Sequence, residues 1–305
     1  MERISYQGWK NCYRLTDGRV ELVVTADVGP RVIRFGFVDG ENEFWENERW
    51  LGKRGGDEWV NYGGHRLWHA PESQPRTYTP DNDPVNVEEH GDFTRFVQPV
   101  EPPTGIQKAL DIYLGGEDGD VRVVHRLRNT NLWEVAMAPW ALSVMAGGGT
   151  AILPLPPRGP HPENLRPKSS LILWAYTDLH DPRWTLGTRY ILLRQDATMS
   201  SVQKIGAPVP DGWVAYAHEG HLFVKVFAYV PGAIYPDLGA SVELFTNSEM
   251  VEVETLSPMV RLAPDAEVEY EERWYLFEGV AVPSNDEDVE ATVLPCVESI
   301  ISGVE

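Results

Sequence analysis

Side-chain character in this chain alternates with a period of two. In run after run apolar and polar residues exchange places at every second position, and glycine or proline closes the run. Val20, Leu22 and Val24 share one side of 19–25. After a Gly29-Pro30 turn, 31–37 places Val32 and Arg34 on one expected face and Ile33, Phe35 and Phe37 on the other. Residues 108–113 and 120–129 read as a hairpin around Gly115-Gly116-Glu117-Asp118-Gly119. Further runs span 134–146, 170–174, 190–194, 213–217, 221–230, 241–246, 249–257 and 267–277. The 27 glycines and 24 prolines fall mostly between the runs, where turns require them. One amphipathic helix is expected, over 285–301, with Pro295 interrupting it. About a dozen strands with almost no helix predicts an all-β sandwich or barrel and excludes an alternating α/β layout. No propeller-type repeat is present. The chain of 305 residues reads as one large antiparallel sandwich over 1–280, followed by a tail or short helix over 281–305.

Composition narrows the class of partner. Lys and Arg number 26 against 46 Asp and Glu, leaving a formal charge of −20. A nucleic acid or an anionic membrane would be repelled, so neither is an expected partner. Cys12 and Cys296 lie at opposite ends of the chain. They do not make a disulfide framework, and two free thiols in a reducing compartment are expected over a terminal staple. The N-terminal residues lack an apolar signal core and no window approaches a membrane span, which points to the cytoplasm.

Two stretches resist strand assignment: 47–87, rich in glycine and proline, and 153–168, which holds six prolines. Long irregular segments of this kind are usually functional loops. Trp45, Trp50, Trp59 and Trp68 lie in or beside the first, which predicts an ordered loop at the mouth of a cleft.

Within it, Asn61-Tyr62-Gly63-Gly64-His65-Arg66-Leu67-Trp68-His69-Ala70-Pro71-Glu72 is the densest polar and aromatic cluster. If 64–69 is extended, His65, Leu67 and His69 share one face and Arg66 and Trp68 the other. Sugars need this mixture: a flat aromatic surface for the C–H face of the ring, and fixed donors and acceptors for hydroxyls. A bland alternative is a loop in which Arg66 and Glu72 merely pair. A second cluster runs from His221 to Gly239, with Lys225 inside an apolar strand and Tyr235 beyond it. Such a lysine must either reach water at an edge or point into a polar cleft. A third is acidic: Glu243 alternates with apolar neighbours, while Glu252 and Glu254 share a face. Carboxylates meeting in a cleft would hold unequal protonation, as a general acid and general base require. The histidines show no metal-ligand spacing, and no phosphate-loop, dinucleotide or serine-nucleophile motif is present. No cofactor or metal is expected.

The segments YGGHRLWHAPE, RNTNLWEVAMAPWALSVMAGGG, VKVFAYVPGAIYPDLG and VELFTNSEMVEVETLSPMVRLAPDAEVEYEERWYL resemble a domain-of-unknown-function branch of the galactose mutarotase-like, or aldose 1-epimerase-like, superfamily. The resemblance covers most of 10–278. It implies an antiparallel β-supersandwich that binds monosaccharides or glycan ends on a concave sheet. In mutarotases of this family a Glu takes the proton of the anomeric hydroxyl and a His protonates the ring oxygen. The Glu matches Glu243, 19 residues before Leu262-Ala263-Pro264, with Glu254 second. The family's His falls here near Pro139-Trp140, where no His stands, so His65 or His69 would replace it, with His125 a further choice. The resemblance thus implies Glu243 as base, His65 or His69 as acid and Trp68 as stacking platform. Arg66, Glu72, Lys225, Tyr235 and Glu254 would be substrate contacts. Three activities follow: anomer exchange, non-catalytic carbohydrate recognition, or glycoside hydrolysis or lyase chemistry on the same scaffold. The last would need a local basic patch, for which Arg31, Arg34, Lys53, Arg54 and Arg66 are candidates.

Overall fold

A computed structural model describes residues 1–115 and 120–301. The strands begin with β1 (Glu2–Tyr6), β2 (Trp9–Thr16), β3 (Val20–Thr25), β4 (Arg31–Phe37) and β5 (His65–Ala70). After β6 (Asn86–His90) and β7 (Phe93–Val97) come β8 (Ile106–Leu114), β9 (Val121–Asn129) and β10 (Val135–Met145). Next are β11 (Thr150–Pro154), β12 (Ile172–Leu173), β13 (Trp184–Leu186), β14 (Tyr190–Arg194) and β15 (Gln203–Ala207). The series ends with β16 (Trp213–His218), β17 (His221–Phe227), β18 (Val242–Thr246), β19 (Val251–Leu256), β20 (Val260–Leu262) and β21 (Glu267–Glu278).

They form two antiparallel sheets. One runs β1-β2-β3-β4-β5-β10-β19-β18-β15-β12, with β20 also on β10; the other runs β13-β14-β11-β16-β17-β21-β9-β8-β7-β6. β8 and β9 pair as expected, but the tip of that hairpin, 116–119, lies outside the described residues. The sheets face each other across one large core: Phe35 of the first sheet meets Phe223 and Trp274 of the second at ring distances of 5.7 Å each. This is the all-β sandwich that the alternation implies.

Three local expectations change. The β3–β4 register shifts between Val23 and Val24, so Val23 opposes Arg34 and Val24 opposes Val32. Ile33 is the extra residue of a bulge, and a bulge reverses parity. Val32 and Phe35 therefore both enter the main core, while Ile33 packs with Trp9 and Tyr62 on the other side of the sheet. Pro295 does not interrupt the C-terminal helix, which continues to Ile301. A wider π-turn over Val289–Val293 immediately precedes it. That turn accommodates a residue that lacks an N–H and clashes with the carbonyl four positions back. Val289, Val293, Val297 and Ile300 then cover the outer face of the second sheet beside Leu192 and Val224. Finally, two stretches expected to be loops hold buried strands: Thr150–Pro154, partly assigned to the second, and His65–Ala70, inside 47–87 and central to the first sheet. Both cysteines are free thiols. Among the described residues no helix is long and apolar enough to cross a membrane.

Candidate functional site

The outer face of the first sheet, turned away from the second, carries the polar groups. β5 enters through Gly63 and Gly64, whose φ values of +91° and +69° are left-handed and favour glycine. Alternation along β5 then sends Leu67 into the core and Arg66 and Trp68 to the outer face. Register across the sheet builds a row: Arg66 lies opposite Leu142, Leu142 opposite Glu254, Glu254 opposite Glu243, and Glu243 opposite Gly206. The neighbouring row places Glu252 opposite Phe245 and Phe245 opposite Lys204. Gly206 lets the Trp174 ring close over the sheet, because a Cβ there would stand 3.2 Å from that ring.

Over these rows lies a hollow of about 240 Å³. Trp59, Trp68, Tyr78, Trp140 and Tyr176 give it aromatic walls, with Asn61, Arg66, Glu72, Lys204, Asn247 and Glu252 among its polar groups. Its size sits just below the ~300–1,000 Å³ of drug-sized ligand sites, which suits one ring. A wider depression of about 900 Å³ is bordered by the proline-rich 155–169 loop and holds none of the groups nominated from sequence.

Lys204 organises the floor. Its ammonium lies 2.7 Å from Glu243 Oε2, an ion-pair contact without hydrogen-bond alignment, and donates to Glu254 Oε2 at 3.0 Å. The Trp140 indole N–H also donates to Glu254 Oε2, at 2.8 Å. Lys204 Nζ sits 4.8 Å from the ring centroids of both Trp140 and Trp174. Asp237 closes the corner beside Glu243. Burial drives the Glu243 carboxyl well above the usual range, Glu254 and Asp237 reinforce this, and Lys204 opposes it. Burial raises Glu254 as well. For Lys204 burial acts downward, but the two carboxylates outweigh it and keep the amine charged.

Several nominated residues meet here and several do not. Arg66, Trp68 and Glu72 line the hollow. Glu243 and Glu254 are fully buried and lie one layer behind, in contact with Lys204. Arg66 pairs with Glu252 at 3.0 Å, while Glu72 accepts from the Tyr78 hydroxyl, so Arg66 and Glu72 do not form the bland pair. Trp68 is no open platform, since the Arg66 guanidinium lies over its ring at 4.5 Å. The exposed Tyr176 offers the accessible ring, while Trp59 is half-buried and also lies near the Arg66 guanidinium, at 5.6 Å. Glu252 and Glu254 form no solvated stripe. Tyr235 is buried against Tyr229 and accepts from the Val230 N–H, outside the hollow. The basic patch dissolves into pairs: Arg31 with Asp81, Arg34 with Glu21, Arg54 with Asp27 and Arg66 with Glu252. Lys53 caps the Arg49 carbonyl.

His65, His69 and Lys225 point the other way, into the space between the sheets. The Tyr270 carbonyl can only accept, so His125 Nδ1 donates to it at 2.9 Å. His125 Nε2 must then accept from His65 Nε2, 2.7 Å away, and His65 Nδ1 accepts a hydrogen bond from the Ser143 hydroxyl at 2.9 Å. Burial lowers both histidines, leaving a neutral, fully bonded pair that cannot reach a ligand in the hollow. His65, His125 and Glu272 bring potential metal-ligand atoms within 4.8 Å of one another. Their lone pairs are taken, and the Lys225 ammonium stands 2.7 Å from Glu272, so a cation would have to displace it. Lys225 thus has neither an edge nor a cleft; it neutralises Glu272 in the core.

His69 is buried beside Glu101, which also pairs with Lys108. Burial opposes ionisation of Glu101, but Lys108 and His69 outweigh it and hold the carboxyl at about 2. A lowered carboxyl contributes stability above its unfolded range and loses it as pH falls toward the folded value. We expect about 3 kcal/mol to disappear between pH 5 and 2. Urea unfolding at pH 6 and pH 3 checks this, with Glu101→Gln showing a smaller pH-dependent loss than the parent.

Lys204 was missed from sequence. A single lysine in Gln203–Ala207 carries no motif; only its four neighbours in space, Glu243, Glu254, Trp140 and Trp174, give it meaning.

No family model matches the sequence, and no curated protein does. Solved structures do. A galactose mutarotase-like protein from Lactobacillus casei ATCC 334 superposes with a TM-score of 0.57 at 11% identity, covering 88% of this chain and 100% of that one. A galactose mutarotase related enzyme from Lactobacillus acidophilus gives 0.54 at 9% identity, covering 90% and 99%. The Slr1438 protein from Synechocystis sp. PCC 6803 gives 0.56 at 11% identity, covering 91% and 100%. At these identities the likeness is one of fold.

Proposed function

We propose, from a chain with the galactose mutarotase-like fold, that the hollow binds a monosaccharide or glycan end and exchanges its anomers. One observation carries this reading: two buried carboxyls, Glu243 and Glu254, share a single ammonium directly beneath an aromatic-walled, ring-sized hollow. Such a group holds one carboxyl ionised and one protonated, the state that acid–base exchange at C1 needs. The ionised member takes the proton of the anomeric hydroxyl as the C1–ring-oxygen bond breaks. The protonated member supplies the proton to the ring oxygen, and the reverse transfer recloses the ring on the other face. In this account the carboxyl pair replaces the imidazole of the mutarotases.

Saturation-transfer NMR on a panel of aldoses tests it. Exchange accelerated by the protein supports the reading, and none with any aldose that binds sinks the enzymatic part. For binding, Tyr176→Ala is expected to weaken affinity about tenfold by removing an accessible ring, with the unfolding midpoint unchanged. Equal affinity in isothermal titration would remove Tyr176 from the site.

A second reading, recognition without turnover, is favoured by two specific facts. Among the described residues no histidine lines the hollow, and Glu243 has no exposed surface. Saturable sugar binding with unaltered anomer exchange is its signature. Lyase chemistry on anionic polymers is the weakest, because the candidate arginines are neutralised by carboxylates.

A further inference from the structure

The charges around the hollow do not balance. Arg66, Lys204, Glu72 and Glu252 line it, and Asp237, Glu243 and Glu254 back it. Five carboxyls face two cations; with one proton held by the Glu243–Glu254 pair, the formal excess is two negative charges. Neither cation is free. Arg66 is held by Glu252 at 3.0 Å and lies over Trp68 and Trp59, at 4.5 and 5.6 Å from their centroids. Lys204 is shared between two carboxyls and two indoles. Glu254 Oε1 and Glu243 Oε1 are buried without a hydrogen-bond partner among the described residues and Glu243 Oε2 has only its ion pair with Lys204, with Arg66 Nε among the unmet donors. Burial pushes Glu243, Glu254 and Asp237 toward their protonated forms, Lys204 opposes this, and repulsion from neighbouring carboxylates adds to it.

A ligand phosphate or carboxylate would enter this field unfavourably, whereas an ammonium would complete it. The exposed Tyr176 ring attracts a cation as well as stacking on a sugar. We infer, on the sugar-binding reading above, that the preferred ligand is an amino sugar, a monosaccharide carrying a protonated primary amine, over neutral and over phosphorylated sugars.

Isothermal titration at pH 6.5 tests this with glucosamine, galactosamine and mannosamine against glucose, galactose and mannose. N-acetylglucosamine and glucose 6-phosphate serve as uncharged and anionic controls. Amino sugars are expected to bind at least tenfold tighter than their neutral counterparts, a modest yield for a charge pair near contact. N-acetylation should abolish the gain and the phosphate should bind weakest. Titrations in two buffers of different ionisation enthalpy should show protons released as amino sugars bind, since the ammonium drives carboxyls to ionise. Glu72→Gln, at the exposed mouth, should narrow the preference about threefold while leaving the fold intact. Equal affinity for amino and neutral sugars, or tighter binding of glucose 6-phosphate, overturns the inference and leaves the sugar hollow standing. Absence of binding by every sugar overturns both.

Discussion

Glu243→Gln is expected to reduce anomer exchange by ~10²–10⁴-fold, the usual worth of a positioned proton-transfer group. The fold should survive unchanged. Burial holds Glu243 toward its neutral form, and glutamine reproduces that form in shape and charge. Lys204 retains Glu254 as its partner, so no buried cation is stranded. A loss of exchange with the urea midpoint preserved would separate chemistry from stability. The pH profile adds a second check. A raised carboxyl delays formation of the base, so exchange by the parent should rise with pH beyond the ordinary carboxylate range. Exchange at parental rates in the variant would remove Glu243 from the mechanism.

The largest effect on stability is expected between the sheets. Lys225→Met removes an ammonium that lies 2.7 Å from Glu272 and donates to the Ala141 and Val253 carbonyls at 3.3 Å each. Both side chains of the pair are fully buried. Breaking a buried pair by deleting one partner costs about 3–5 kcal/mol, because a charge is left uncompensated. Burial opposes the Glu272 carboxylate, and in the parent the Lys225 ammonium nevertheless holds it below the usual range. Its stabilisation is therefore present above the unfolded carboxyl range and lost as pH falls. Without Lys225 the balance reverses and Glu272 takes up a proton more easily. The gap between parent and variant should consequently be widest near pH 7 and narrow toward pH 5. Lys225→Met combined with Glu272→Gln should recover more than half of the loss. Urea unfolding at both pH values provides the measurement, and a single variant as stable as the parent at pH 7 would refute the account.

Most of the architecture was legible because alternation is a local property. The residues of β4 and β14 were read with the bounds they have, and β9, β10, β18, β19 and β21 to within a few residues. Trp184–Leu186 and Val260–Leu262 are too short for alternation to show, and β1, β2, β6, β7 and β15 also went unread, although β2 spans eight residues. At β4 the bulge at Ile33 defeated parity, because one inserted residue exchanges the faces downstream. In the site, the sequence separated His65 and His69 from Arg66 and Trp68 correctly, yet parity does not say which face meets the second sheet. An arginine and a tryptophan beside glycines resemble core and surface equally; histidines that satisfy each other as a neutral pair belong inside.

What the sequence alone determined is the period of two, hence a β-sandwich, and the two sets of side chains that each strand separates. It also determined the acidic balance that disfavours polyanionic partners. What only the tertiary structure decided is which set faces inward and which distant strands lie side by side. Pairing of β18 with β15 and β19 brings Glu243, Glu254 and Lys204 together from positions up to 50 residues apart. Backbone hydrogen bonds between strands carry no trace in local composition, so the convergence that makes a candidate site is a property of register, not of motif.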